Sequence, residues 1–180
     1  MDYASTHRDI IEGCKKGKRQ AQFELYRLYS KSMYNICLRM VRNELDAEDL
    51  LQNSFVDVFS NLRSFRYQSS VGAWIKRIVV NNCINFLKKK RLLIEELDDR
   101  VVNIKEDVHI PASGLKVETV NRAVQKLPDG YRVVFSLYMF EGYDHKEIAS
   151  ILNITEATSK SQFSRAKKKL KELLESKSYV

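Results

Sequence analysis

The sequence predicts an all-α protein: two small helical domains joined by a flexible acidic linker, the C-terminal one a helix-turn-helix. Three observations carry this. Only two prolines and six glycines interrupt 180 residues, and no stretch sustains the apolar–polar alternation of a half-buried strand. Apolar residues recur instead at helical spacing in several separate stretches. Between Leu92 and Gly114 the composition turns acidic, with Glu95, Glu96, Asp98, Asp99, Glu106 and Asp107 against Arg100 and Lys105. That stretch closes on Pro111, Ser113 and Gly114, as a solvated connection does. Domains are therefore expected at 1–91 and 116–180, with the linker at 92–115.

The segment from Arg8 to Arg19 is charged. Its GCKKGK at 13–18 superficially resembles a phosphate loop but lacks the spacing, the following Ser or Thr and a preceding strand. Phe23, Tyr26, Met33, Cys37, Met40 and Val41 form an apolar stripe that predicts a helix near 20–42. Leu51, Phe55, Val58, Phe59 and Leu62 predict a second over 46–62, with Asp46 as N-cap and Glu48 and Asp49 in the first turn, where the helix dipole favours acids. Trp74, Ile75, Ile78 and Val79 define a third from Val71 to Arg91, ending in Lys88, Lys89, Lys90 and Arg91. Beyond the linker Val117, Val120, Val124 and Leu127 form another stripe, Pro128 restarts the chain, and Tyr131 to Tyr138 make the next helix. Asp144 with Glu147 three residues later is a capping box for a helix to Leu152, and Thr155 caps the last one.

The composition bounds the function. An apolar fraction of 44% suffices for packed cores. A net charge of +8 and a pI of about 9.3 favour a polyanionic partner, nucleic acid or an anionic membrane surface, over an acidic one. Cys14, Cys37 and Cys83 are too far apart for a CxxC, and three cannot all pair, so a disulfide framework or zinc site is not expected. His7, His109 and His145 form no ligand cluster. No metal or cofactor is predicted, and no apolar run approaches membrane-spanning length. The expectation is a cytoplasmic protein, neither exported nor inserted in a membrane.

Residues 152–170 read LNITEATSKSQFSRAKKKL. One apolar stretch stops at Asn153, a residue that tolerates the left-handed conformation of a tight turn, and another starts at Thr155. Two helices joined by Asn153-Ile154 make a helix-turn-helix. At about 100° per residue, Lys160, Ser161, Ser164 and Arg165 share one face of the second helix, and Phe163, Ala166, Leu170 and Leu173 share the other. Small side chains let a helix approach base edges in the major groove, while Lys and Arg reach guanine or phosphate. The trailing bases, Lys168 among them, continue along the DNA backbone. From this stretch alone, a solvated amphipathic helix ending in dipole-favoured lysines is the alternative. Ser159 falls on the apolar side, where it is expected to loosen the contact or hydrogen-bond to the backbone.

The longer stretch at 127–170 resembles the promoter-reading region of bacterial sigma factors. Leu127-Pro128, Arg132, Glu141-Gly142, Glu147-Ile148-Ala149, Thr158-Ser159-Lys160-Ser161 and Arg165-Ala166-Lys167 stand in the order of that region's motif. DAEDLLQNSF at 46–55 resembles the family's core-polymerase-binding helix, and WIKRIVVNNCINFLKKKR at 74–91 its DNA-melting and upstream-contact helix. Two such blocks joined by a linker resemble the extracytoplasmic-function (ECF) group of the sigma-70 family. The sequence departs from the pattern at Asn153, where a turn glycine is common, at Ser159 for an aliphatic residue, at Gln162 for an arginine and at Asn85 for an aspartate.

The resemblance implies an initiation factor rather than an enzyme. It would bind core RNA polymerase, recognise two promoter elements with a region 2-like domain at 1–91 and a region 4-like domain at 116–180, and help open the duplex. On the second helix Asp46, Glu48, Asp49, Gln52 and Asn53 lie largely opposite the apolar stripe, as an ordinary solvated surface does. The resemblance makes Asp46, Asp49, Gln52 and Asn53 the contact with the clamp helices of the largest catalytic subunit. It adds the other large subunit, near the upstream element, as a partner, and an anti-sigma factor as a candidate partner. On the third helix Lys76, Arg77, Asn81 and Asn82 around Trp74 combine base, amide and ring as single-stranded DNA sites do, although Trp74 with Ile78 also suits partial burial. The resemblance places Asn81 on unpaired bases of the downstream element. Lys88 and Lys89, with Lys90 and Arg91, suit phosphates. The linker acids suit the basic polymerase channel that the family's linker threads. A stand-alone helix-turn-helix regulator is the alternative. A small nucleic-acid enzyme is disfavoured, because no metal or nucleophile arrangement stands in the sequence.

Overall fold

The computed structural model describes residues 7–90 and 117–176; the expected linker at 92–115, with His109, and Arg91 lie outside them. Among the described residues every regular element is helical. The chain divides into two compact units, Met1–Phe86 and Leu87–Val180, the division falling in the last turn of the fourth helix.

The first unit holds α1 (Arg8–Lys15), α2 (Arg19–Val41), α3 (Glu44–Asn61), a 3-10 turn (Leu62–Ser64) and all but the last three residues of α4 (Val71–Lys89). Charge hides α1 in the sequence: only Ile11 and Cys14 supply its buried apolar side chains. GCKKGK is its stop signal. Gly17 sits at φ 75°, and the N–H groups of Gly17 and Lys18 donate to the carbonyls of Cys14 at 2.9 Å and Gly13 at 3.0 Å, which is a Schellman motif.

Two sequence expectations change here. Asn43, not Asp46, caps α3: its side chain accepts from the Asp46 N–H at 2.9 Å. Asn and Asp cap equally well, so the chain's emergence from α2 decides between them, and Asp46 becomes a first-turn acid. Phe23 is not core but 63% exposed. The buried side chain of this turn is Leu25 instead; Leu25 and Phe23 stand about equally far around the helix from Met33, Cys37 and Met40, on opposite sides, so helical spacing alone does not separate them. All three cysteines are free and buried.

α4 is capped by Ser70, whose hydroxyl accepts from the Ala73 N–H at 3.2 Å. Its first turn lies so close to α2 that a Cβ on Gly72 would sit 2.9 Å from the Tyr29 ring. Val71, Ile75, Val79, Val80, Cys83, Ile84 and Leu87 are its buried side chains.

The second unit holds α5 (Val117–Val124), α6 (Asp129–Met139), α7 (His145–Leu152) and α8 (Glu156–Glu175), with α8 against the other three. Ala123, Val124, Leu127, Phe135, Ala166, Leu170 and Leu174 form the buried cluster. Arg132 is fully buried beside it, ion-paired with buried Asp129 and donating to the Leu127 carbonyl at 3.3 Å. No helix among the described residues is long and apolar enough to cross a membrane.

Candidate nucleic-acid interface

The turn before α8 is built by local chemistry. The Asp144 carboxylate accepts from the Glu147 N–H at 2.7 Å and the Glu147 carboxylate from the Asp144 N–H at 2.8 Å, the reciprocal capping box. α7 ends at Asn153 in the left-handed conformation, φ 59° and ψ 49°, and the Ile154 N–H donates back to Ala149 at 3.0 Å. Thr155 then caps α8, accepting from the Thr158 N–H at 3.0 Å. α8 therefore leaves the turn with a fixed rotation. Ser159, Gln162, Ala166 and Leu170 are buried, Lys160 and Lys168 are exposed, and Ser161, Ser164 and Arg165 are half-buried. The Lys160 ammonium rests on Glu156 at 2.6 Å, an exposed i,i+4 pair of the kind that a phosphate displaces at little cost.

Ser159 neither loosens the contact nor turns to the backbone. Its hydroxyl hydrogen-bonds His145 Nδ1 at 2.9 Å, tying the start of α7 to α8. The imidazole also stacks on Tyr138, centroids 4.6 Å apart, and meets Phe163 edge-on at 5.6 Å. Burial, then the nearby Lys160 charge, holds His145 below the usual histidine pKa. The unfolded chain thus takes up this proton first as pH falls. Its contribution to stability declines as pH drops through about 6.5 and levels off once the folded imidazole is protonated too. NMR titration of the imidazole is expected to give a midpoint below that of a histidine in the urea-unfolded chain; an equal or higher midpoint would contradict this burial.

The structure sorts the expected residues of α4 onto different sides. Trp74, Arg77, Asn81, Asn85 and Lys88, spaced by three and four residues, share one face. On it Arg77, Asn81 and Asn85 are exposed, and Trp74 and Lys88 half-buried. Lys89 is exposed beside this face. Lys76 points elsewhere and lines a cleft of about 450 Å³ with Tyr29, Met33 and Ser70. Asn82 donates to Asp57 Oδ2 at 2.8 Å and Ser54 Oγ at 3.2 Å, so its amide fastens α4 to α3. Asn85 joins the face from outside the expected set; the spacing from Asn81 was its signal.

On α3, Asp49, Gln52 and Asn53 are exposed and Asp46 is half-buried at their edge. Leu45, at 73% exposure, and Val56, at 62%, lie on the same strip, giving its acidic and amide centre apolar ends. Both lie off the buried stripe of α3, so the periodicity that predicts its core leaves them out.

Residues 25–92 match the sigma-70 region 2 family and residues 118–170 the sigma-70 region 4 family. The chain is 31% identical over 152 residues to the ECF RNA polymerase sigma factor SigM of Bacillus subtilis, covering 83% of this chain and 93% of that one. It is 30% identical over 177 residues to SigW of the same organism, covering 91% and 94%. Among solved structures it is similar to the sigma factor RpoE of Bartonella quintana in complex with the anti-sigma factor NepR, with a TM-score of 0.56, 24% identity and coverage of 84% and 95%. With both helical units matched in order and relatives of this identity covered almost end to end, the chain belongs to the sigma-70 family of RNA polymerase sigma factors, in its ECF group.

Proposed function

We propose that the chain, without catalytic activity of its own, binds core RNA polymerase through the exposed strip of α3 and brings promoter DNA to it with α4 and α8. The observation that carries this reading is the fixed rotation of α8, which buries one side and turns Lys160, Ser161, Ser164, Arg165 and Lys168 outward. Ser161, Ser164 and Arg165 then meet base edges of the upstream element, and Lys160 and Lys168 its phosphates. The α3 strip suits a protein rather than DNA, because Asp46, Glu48 and Asp49 repel phosphates while Leu45 and Val56 offer apolar area. Exposed Met139 and Phe140 at the end of α6 give the other large polymerase subunit a comparable apolar contact. An anti-sigma factor, the partner in the solved relative's complex, is a further partner class for this chain.

Run-off transcription with purified core polymerase on a randomised duplex library tests the reading as a whole: transcripts from selected sequences should require the chain. A stand-alone duplex-binding regulator would bind such DNA without conferring transcription. Asp49→Ala combined with Gln52→Ala should weaken core binding by at least about fivefold, the scale of an interface residue worth about 1 kcal/mol, with helical content unchanged. Unaltered affinity in a pull-down titration would remove α3 from the contact.

A further inference from the structure

We infer that α1 acts as a bracket fixing the connection at 65–70, and that Glu12 and Tyr67 are positioning residues that hold Trp74 ready for an unpaired base. The inference rests on the proposed role of α4 in promoter opening and adds to it a part of the chain that neither DNA nor polymerase touches in that reading.

Tyr67 adopts φ 58°, a left-handed conformation that a bulky side chain keeps only where its surroundings hold it. The surroundings come from α1, more than fifty residues earlier. The Tyr67 hydroxyl donates to Glu12 Oε1 at 2.6 Å. Lys15 Nζ lies 4.6 Å from the centre of the Tyr67 ring and Arg8 Cζ lies 5.3 Å from it, both within cation–π range. Lys15 also donates to Glu12 at 3.0 Å and to the Phe65 carbonyl at 3.2 Å. Three side chains of α1 thus grip both the backbone and the ring of the connection.

The grip passes to Trp74 through Phe65, whose buried ring lies 4.9 Å from Tyr67 and 5.3 Å from Trp74. Trp74 shares a face with Arg77 and Asn81, so fixing its ring fixes an aromatic surface next to a cation and an amide. Preorganisation of this kind matters for unpaired bases, because each side chain ordered only on binding subtracts from the affinity. The hydrogen bond at its centre is durable. Glu12 is held below the usual carboxylate pKa, chiefly by the Tyr67 hydroxyl, and Tyr67 is pushed up to about 12, chiefly by burial. Near neutral pH the pair therefore stays as charged acceptor and protonated donor.

The test uses full-length chain with core polymerase and a promoter selected by the wild-type holoenzyme. The promoter is presented as a duplex and as a fork whose downstream element is single-stranded. Trp74 is the only tryptophan of this chain, so its emission anisotropy, measured on the full-length chain without polymerase, reports its own mobility. Wild type should prefer the fork. Tyr67→Phe, which keeps the ring and its cations, and Glu12→Ala should each lower that preference about tenfold or more, the scale of one hydrogen bond to a charged acceptor. Both should also lower Trp74 anisotropy while leaving duplex and core affinity unchanged. Glu12→Gln, still able to accept from the hydroxyl, should recover most of the preference. An unchanged preference, an equal loss on fork and duplex, or equal defects in Glu12→Ala and Glu12→Gln would overturn the inference. If Tyr67→Phe fails to fold, the two Glu12 variants decide by the same criterion. A wild-type holoenzyme without fork preference would overturn the role of α4, and this inference with it.

Discussion

Asp129→Ala is expected to unfold the second unit, or bring it to the edge of unfolding, in the otherwise intact chain. Arg132 is fully buried and Asp129 only 4% exposed, and the two are ion-paired one turn apart on α6. A guanidinium does not deprotonate in a protein, so removing the carboxylate leaves a cation in the core. Breaking such a pair costs about 3–5 kcal/mol. The described helical part of this unit spans 117–176, and about 60 residues carry roughly 3–9 kcal/mol of stability in all. The loss is comparable to the total, and α8, which rests on α6, would lose its fixed rotation. The double variant Asp129→Ala with Arg132→Met removes both charges and should recover most of the stability, as apolar replacements of buried pairs do. Hydrogen exchange at the amides of α6 and α8, with urea unfolding followed by circular dichroism, measures both. A single variant as protected as wild type would show that water or another group reaches the Arg132 guanidinium.

The contrast between what sequence does and does not disclose follows from contact distance along the chain. The capping box of Asp144 and Glu147, the Thr155 cap and the left-handed Asn153 are legible because each acts across three or four residues, within reach of a pattern. The helix-turn-helix and the exposed side of α8 follow from them. Side chains whose partners lie far away are not legible in this way. Ser159 reads as a weak point on an apolar face until its bond to His145, fourteen residues back, is seen. Asn81 and Asn82 are chemically identical neighbours, and only the position of Asp57 on α3 separates them. α1 is the extreme case: its charged residues face Tyr67, fifty-five positions beyond Glu12, so composition shows a polar segment where the structure has a helix. The burial of Trp74 was legible in part. Its spacing from Ile78 gives partial burial, but its contact with Phe65 is not a pattern in the chain.

Asn81→Ala is expected to leave closed-complex formation intact and to slow or abolish promoter opening. The argument begins with what melting requires. Phosphate contacts from cations such as Arg77 and Lys88 would hold duplex and single strand alike, so they could not favour one over the other. Opening needs a group that binds an unpaired base better than a paired one, because extracting a base costs a few kcal/mol that only such differential contact offsets. An exposed amide supplies both donor and acceptor to a base edge freed by unpairing, and Asn81 is exposed on the face that carries Trp74 and Arg77. The loss of a good contact to a base edge is worth about 1–3 kcal/mol, roughly a 5- to 150-fold fall in the opening equilibrium. The neighbouring Asn82→Ala variant serves as the internal control. Losing its bonds to Asp57 and Ser54 should lower the melting temperature of the first unit, whereas Asn81→Ala should not. Permanganate reactivity of promoter thymines follows opening directly, and transcription from a duplex is compared with transcription from the same promoter carrying a pre-melted bubble. A melting role predicts lost thymine reactivity on the duplex and a milder defect on the bubble. Normal reactivity, with equal transcription defects on both templates, would leave Asn81 an ordinary surface amide and move the opening function to Trp74 or Asn85 on the same face.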